Sequence, residues 1–149
     1  MNAHNFAKYP SLKGRTVFVT GGASGIGADM VRGFAEQGSK VGFVDLDAKA
    51  SAALAGSIEG DVTFEICDLR DIGALKAAFA KLQDRLGTAT VLVNNAARDD
   101  RHRWEDVTPD YWDERMATNL RHQFFAIQAV APGMIVAGGG SIINLSSNS

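Results

Sequence analysis

Residues 20–27 read TGGASGIG, with glycines at Gly21, Gly25 and Gly27. Glycine lets a backbone turn tightly and approach a ligand with no Cβ in the way. A buried strand precedes this segment and a helical pattern follows it. That is the context of a turn that cradles phosphates at a helix N-terminus, where free N–H groups and the positive dipole end face the anion. Gly21, Ala23, Ser24, Gly25, Ile26 and Gly27 are therefore the candidate cofactor-binding residues. Asp45 ends the next apolar run, close to the offset of about 20 residues at which an acidic side chain meets a ribose. A carboxylate there accepts hydrogen bonds from both ribose hydroxyls and repels a 2′-phosphate, which points to NAD rather than NADP. The same residues also fit a structural strand-to-helix turn followed by a solvated aspartate.

The elements that must position these groups alternate in type. Residues 16–20, TVFVT, form an apolar run with no polar alternation, as expected of a strand covered on both faces. Ile26, Met30, Phe34 and Ala35 then fall on one helical face, and Gly38 closes the helix. Residues 41–44 read as a second strand and 48–54 as an alanine-rich helix. Val62, Phe64 and Ile66 alternate as a third strand that ends at Asp68. Ile72, Leu75, Phe79, Leu82 and Leu86 recur at spacings of three and four, the pattern of an amphipathic helix. Residues 90–93 are a fourth strand. Thr108 and Pro109 mark a helix start, as N-cap and first-turn proline. That helix runs through Trp112, Met116, Asn119, Leu120, Phe124 and Ile127, with Pro132 as a kink or the beginning of its end. Residues 141–145 are a fifth strand. Short apolar runs alternating with helices imply an α/β fold, a Rossmann-type parallel sheet with helices on both faces. The chain is expected to form a single domain over residues 1–149, incomplete after the fifth strand.

Composition narrows the class. A chain of 149 residues with 46% hydrophobic and 21% charged residues is an ordinary globular chain. A formal charge of −2 gives no reason to expect nucleic acid or an anionic membrane as partner. No apolar run approaches the ~18 residues of a membrane span, and the first ten residues lack the apolar core of a secretory signal. The one cysteine, Cys67, has no internal partner, and the three histidines are scattered, so neither a disulfide nor a metal site is expected. A cytoplasmic location is the expectation.

The spacing Gly-x-x-x-Gly-x-Gly, with the motifs that follow in order, resembles the short-chain dehydrogenase/reductase family. The resemblance spans the chain after about Leu12. It implies that Asp68 and Leu69 contact the adenine ring, and that Asn95 and Ala96, within Asn94-Asn95-Ala96, brace the sheet and border the cofactor. It also implies a catalytic asparagine at Asn119 and a catalytic serine at Ser147. In the family a tyrosine phenolate takes the hydroxyl proton while hydride passes to the nicotinamide. A lysine assists the tyrosine, the serine positions the substrate oxygen and the asparagine anchors a water. The long helix packs in a subunit interface, so a homo-oligomer is implied. Trp104, Trp112, Phe124 and Phe125 are expected in a core or that interface, and adjacent Phe124 and Phe125 cannot share one helical face.

Two departures stand out. Ala97 occupies a position where the family usually has glycine. The family's Tyr-x-x-x-Lys lies beyond the serine strand, and the 149 residues stop short of it, so this chain by itself is expected to be inactive or nearly so. Tyr9 and Lys13 match that motif literally but precede the first strand, and Tyr111 with Arg115 reads as surface packing. The segment from Asn94 to Met134 looks nearer to bacterial aldose dehydrogenases than to the family average. The expected function is NAD-dependent oxidation of a small-molecule substrate, a sugar or other secondary alcohol, with residues 98–102 overhanging it or forming a solvated charge run. The alternatives are a non-catalytic NAD-binding fragment and a 3-oxoacyl-carrier-protein reductase-like enzyme, the latter disfavoured by Asp45.

Overall fold

The computed structural model describes residues 7–100 and 102–146. Five parallel strands run β1 (Thr16–Thr20), β2 (Lys40–Asp45), β3 (Val62–Ile66), β4 (Val91–Asn94) and β5 (Ser141–Asn144). Their order across the sheet is β3-β2-β1-β4-β5. The helices between them are α1 (Gly25–Glu36), α2 (Ala48–Gly56), α3 (Ile72–Leu86), α4 (Pro109–Met116) and α5 (His122–Val136). The expected strands and helices are present, with ends shifted by a few residues: β3 stops at Ile66, two residues short of Asp68.

The sheet buries both faces because its central strands are apolar throughout. In β1, Val17 and Val19 point to one layer and Phe18 to the other. The same alternation places Val41, Phe43, Val91 and Val93 with Val17, and Val44 and Leu92 with Phe18. The first layer is closed by α1 and α2 through Ala28, Val31 and Leu54. The second is closed by α3 and α5 through Leu75, Phe79, Leu82, Ala126, Val130 and Met134. Thr20, last in β1, shares the parity of Phe18 and so faces the α5 side.

Local chemistry sets the helix ends. Asp47 caps α2 and Asp71 caps α3, each accepting a backbone N–H three residues on. Thr108 caps α4 in the same way, with Pro109 at its first position. Gly38, at φ +79°, ends α1: its N–H reaches Ala35 O and the Ser39 N–H reaches Phe34 O. Those paired bonds are a Schellman ending, and they require the left-handed backbone glycine tolerates.

The structure adds detail that the expectations did not contain. Ile26 is 65% exposed, and the face α1 buries is Gly27, Ala28 and Val31, with Met30, Phe34 and Ala35 half-buried. The first turn of α1 lies over the sheet's end, where there is no layer for Ile26 to enter. The long helix is continuous from Pro109 to Val136 as expected, but it contains a π turn, Ala117–Arg121, between α4 and α5. Pro132 does not end α5, which runs to Val136. Trp104, Trp112 and Phe124 are exposed and so are not core, whereas Phe125 packs against the α5-side core.

Leu82 is fully buried between α3 and the sheet. Leu82→Ala should destabilise the fold by about 2–5 kcal/mol. Urea unfolding followed by circular dichroism measures this, and an unchanged midpoint would contradict the packing described.

Candidate active site

The cavity at the carboxyl ends of the strands lies where the strand order reverses, between β1 and β4. Open parallel sheets bind ligands at that position. Its volume is about 630 Å³. The turn after β1 supplies Gly21, Ser24, Gly25, Ile26 and Gly27 to its wall. Asp45 comes from the end of β2, Asp68 and Leu69 follow β3, and Asn95 and Ala96 follow β4.

The turn is built so that backbone alone fills it. A Cβ at Gly27 would run into the Gly21 carbonyl oxygen, and one at Gly22 would sit 2.5 Å from the Phe43 Cβ. Gly21 and Gly25 lie at φ +66° and +53°. A Cβ on Gly25 would meet nothing, so its backbone faces open space in the cavity mouth. The Ser24 side chain does not cap α1. The first-turn N–H groups, which have no intrahelical partners, are therefore left for a ligand. A diphosphate fits this cradle by charge, by donor supply and by the room left above Gly25.

Ala23 is the predicted cofactor residue that does not line the cavity. It is 8% exposed, packed beneath the turn, and its N–H donates to Asp45 Oδ2 at 2.9 Å. Asp45 Oδ1 accepts the Asp47 N–H at 3.0 Å. A carboxylate has about four acceptor positions, so Asp45 braces the turn and keeps capacity for two further donors.

Asn95 is a brace by geometry. Its Nδ2 donates to the carbonyls of Thr20 and Gly21, both at 3.0 Å. The N–H groups of Asn95 and Ala96 both donate to the Thr20 hydroxyl oxygen, at 3.0 and 3.1 Å. Asn94 Nδ2 donates to Asn144 Oδ1 at 2.8 Å, tying β4 to β5.

Asn119 lies within the π turn, a form of backbone frequent at functional sites. Its side chain clasps the Arg98 backbone: Oδ1 accepts the Arg98 N–H at 2.8 Å and Nδ2 donates to the Arg98 carbonyl at 2.9 Å. Its own carbonyl accepts from Gln123 Nε2 at 2.9 Å. Ser147 and Arg101 lie outside the described residues.

Two side chains of the charged loop, Arg98 and Asp100, are ion-paired while remaining more than half exposed. Asp100 meets Arg98 and Arg115, both at 2.8 Å. Arg115 donates to the Tyr111 hydroxyl and stacks 4.5 Å from that ring, while His102 meets Tyr111 edge-on. Arg98 and Asp99 line the cavity, as does Arg70, which the sequence reading did not single out. Arg70 forks onto Asp68 and holds its carboxyl below the usual aspartate range. Cys67 also lines the cavity, but burial, then the charges of Asp68 and Asp71, push its thiol up to about 11. It is a protonated wall group at neutral pH, not a nucleophile.

The short chain dehydrogenase family model matches residues 15–149. The chain belongs to that family. It is 51% identical over 144 residues to D-xylose 1-dehydrogenase of Caulobacter vibrioides, covering 95% of this chain and 56% of that protein. A Rhizobium meliloti protein named as a probable galactose dehydrogenase is 50% identical over 145 residues, covering 95% of this chain and 57% of that one. Among solved structures, a Serratia marcescens short-chain dehydrogenase/reductase double mutant superposes with TM-score 0.87 at 33% identity, covering 94% of this chain and 58% of that chain. The chain thus spans about half the length of these relatives. The family and the Rossmann-type sheet expected from the motifs are both present.

The Asp68–Arg70 pair gives a pH prediction. The folded carboxyl pKa is depressed, so the pair's contribution is fully present above the unfolded value of about 3.9. It is lost as pH falls through the folded value. Both side chains are more than a third exposed, so salt weakens the pair. Titration of the Asp68 carboxyl by ¹³C NMR should give a midpoint below the ordinary value, and Arg70→Ala should raise it. A midpoint that ignores Arg70→Ala would remove the pair as the cause.

Proposed function

We propose that these residues form the cofactor-binding portion of an NAD-dependent aldose dehydrogenase. Asp45 carries the cofactor reading. Among the described residues its partners are backbone amides and no cation, so a 2′-phosphate beside it would meet an unneutralised carboxylate. The sugar reading rests on two relatives near 50% identity whose names specify xylose and galactose. A cytoplasmic location accompanies this reading; among the described residues no helix is long and apolar enough to cross a membrane.

When bound, the nicotinamide supplies the hydride acceptor for oxidation at C1. The chain's own residues bind and orient. The first-turn N–H groups of α1 hold the diphosphate, Asp45 accepts the ribose hydroxyls, and Asp68 and Leu69 flank the adenine. Asn119 holds the loop after β4 through Arg98 and, by the family resemblance, is assigned to anchor a water. Ser147 is assigned to the substrate oxygen. Arg98, Asp99, Asp100 and His102 are assigned to the sugar hydroxyls. Trp112, Met116, Leu120 and Phe124, exposed at spacings of four along α4, the π turn and α5, are assigned to a homo-oligomer interface.

Calorimetry on this chain with NAD⁺ and NADP⁺ tests the cofactor assignment. The preference for NAD⁺ should be about ten-fold or more, the factor that 1.4 kcal/mol confers, and Asp45→Ser should narrow it. Equal affinities for the unsubstituted chain would sink the assignment.

In an enzyme of full family length carrying this segment, D-xylose and D-galactose are the sugars to assay. Asp100→Ala should raise the sugar KM and leave the NAD KM nearly unchanged, because it releases Arg98 and Arg115 without touching the glycine turn. Unaltered sugar kinetics would return the loop to a surface role.

A further inference from the structure

His122, the first residue of α5, is completely buried, as is Thr20 at the end of β1. The reading above gives His122 no task. Its hydrogen bonds nevertheless fix where every proton lies. His122 Nδ1 meets the Thr118 carbonyl oxygen, which only accepts, so Nδ1 carries the ring proton. In the neutral ring Nε2 is then a bare acceptor. Nε2 lies 3.4 Å from the Thr20 hydroxyl oxygen. That oxygen already accepts two amide protons, from Asn95 and Ala96. Both its lone pairs are filled, and its single proton goes to His122 Nε2.

These bonds form part of a closed ring. Thr20 holds the amides of Asn95 and Ala96. Two residues on, the Arg98 backbone is clasped by the Asn119 side chain. Asn119 adjoins Thr118 in the π turn, and Thr118 returns to His122 and so to Thr20. The ring encloses the rim where the β4 loop meets the cavity. We propose that His122 is a positioning residue, fixed as the Nδ1–H tautomer, that locks the π turn carrying Asn119 to the end of β1 and the cavity floor. With both ring nitrogens occupied and no exposed surface, it offers nothing to a metal or to bulk solvent. Burial also disfavours the imidazolium, in keeping with a neutral ring.

Only the kinetic part of the test rests on the dehydrogenase reading. Long-range ¹⁵N NMR of this chain at neutral pH should show Nδ1 protonated and Nε2 bare. The opposite tautomer, or a cation, would overturn the proposal, and this measurement needs no variant to fold. Hydrogen exchange supplies the second readout. In His122→Leu the Arg98 amide should exchange about ten-fold faster, the factor expected for loss of one hydrogen bond. The Ala96 amide and the core amide of Val19 should change little, because Thr20 still accepts from Ala96. Thr20→Ser, which keeps the hydroxyl, should keep the Arg98 rate. Equal acceleration at Arg98, Ala96 and Val19 would mean general loosening and would refute the positioning role. In the full-length enzyme His122→Leu should lower kcat by about ten- to a hundred-fold, the scale of a small misplacement near reacting groups, with the NAD KM preserved. A rise confined to the NAD KM, with kcat kept, would also refute it. An enzyme inactive on every sugar would defeat the dehydrogenase reading and leave the tautomer and exchange results to decide this one.

Discussion

At the end of β1 the chain doubles back so closely that the Gly21 carbonyl occupies the space a side chain at position 27 would need. The rest of the cavity depends on that contact. It brings the first turn of α1 over the sheet's edge with its N–H groups uncapped. It also leaves the backbone around Gly21 short of partners inside the turn. The deficit is met from both neighbouring strands. Val44 accepts the Gly21 N–H from the β2 side, and Asn95 donates to the Gly21 carbonyl from the β4 side. A reversal this tight is stable only because β2 and β4 end level with β1, in the register that pairs Thr20 with Val44 and with Asn94.

The polar groups used there are buried, and burial makes them specific. An unpartnered buried donor or acceptor costs about 1–3 kcal/mol, so Thr20 and Asn95 are each held by their alternatives being worse. Thr20 is the clearest case, with three neighbours meeting one hydroxyl. Asn95 is committed by two carbonyls. A rigid floor results, made from side chains rather than from strand ladder. The helix layer above it is joined through the one place where α4 and α5 lose regular geometry.

Much of this was legible in the sequence because period and chemistry agreed. The unbroken apolar runs of β1 and β4 announced a sheet covered on both faces, and α3 announced itself by spacings of three and four. The glycine turn and Asp45 were readable because their offset follows from strand and helix lengths, whereas Asp68 was named only through the family resemblance. What was not legible depends on tertiary placement. Ile26 carries the helical period of α1, yet lies where the sheet has ended. Trp112 and Phe124 are large and apolar by type, yet both are exposed, while Ala126 and Val130 on α5 pack in the core. Nothing local in ATNLR signals a π turn, since the extra residue is accommodated through contacts made elsewhere. His122 was seen only as one of three scattered histidines, because its partners lie four and 102 residues away.

Charge along the cavity follows a pattern that no single pair reveals. From the β3 side to the β4 loop the side chains run Asp68, Arg70, Glu114, Arg98, Asp100, Arg115, alternating in sign, with each neighbour within 3.5 Å. Such a chain has nearly no net field beyond its own length. Asp45 lies outside it, held by amides. The cavity therefore presents two different electrostatic environments. One end carries an uncompensated carboxylate beside the positive end of α1, and the other is neutralised and rich in hydrogen-bonding groups. A ligand with its own diphosphate and an uncharged polar extension matches that division. The described arginines that line the cavity, Arg70 and Arg98, are both paired with acids of that chain rather than with Asp45.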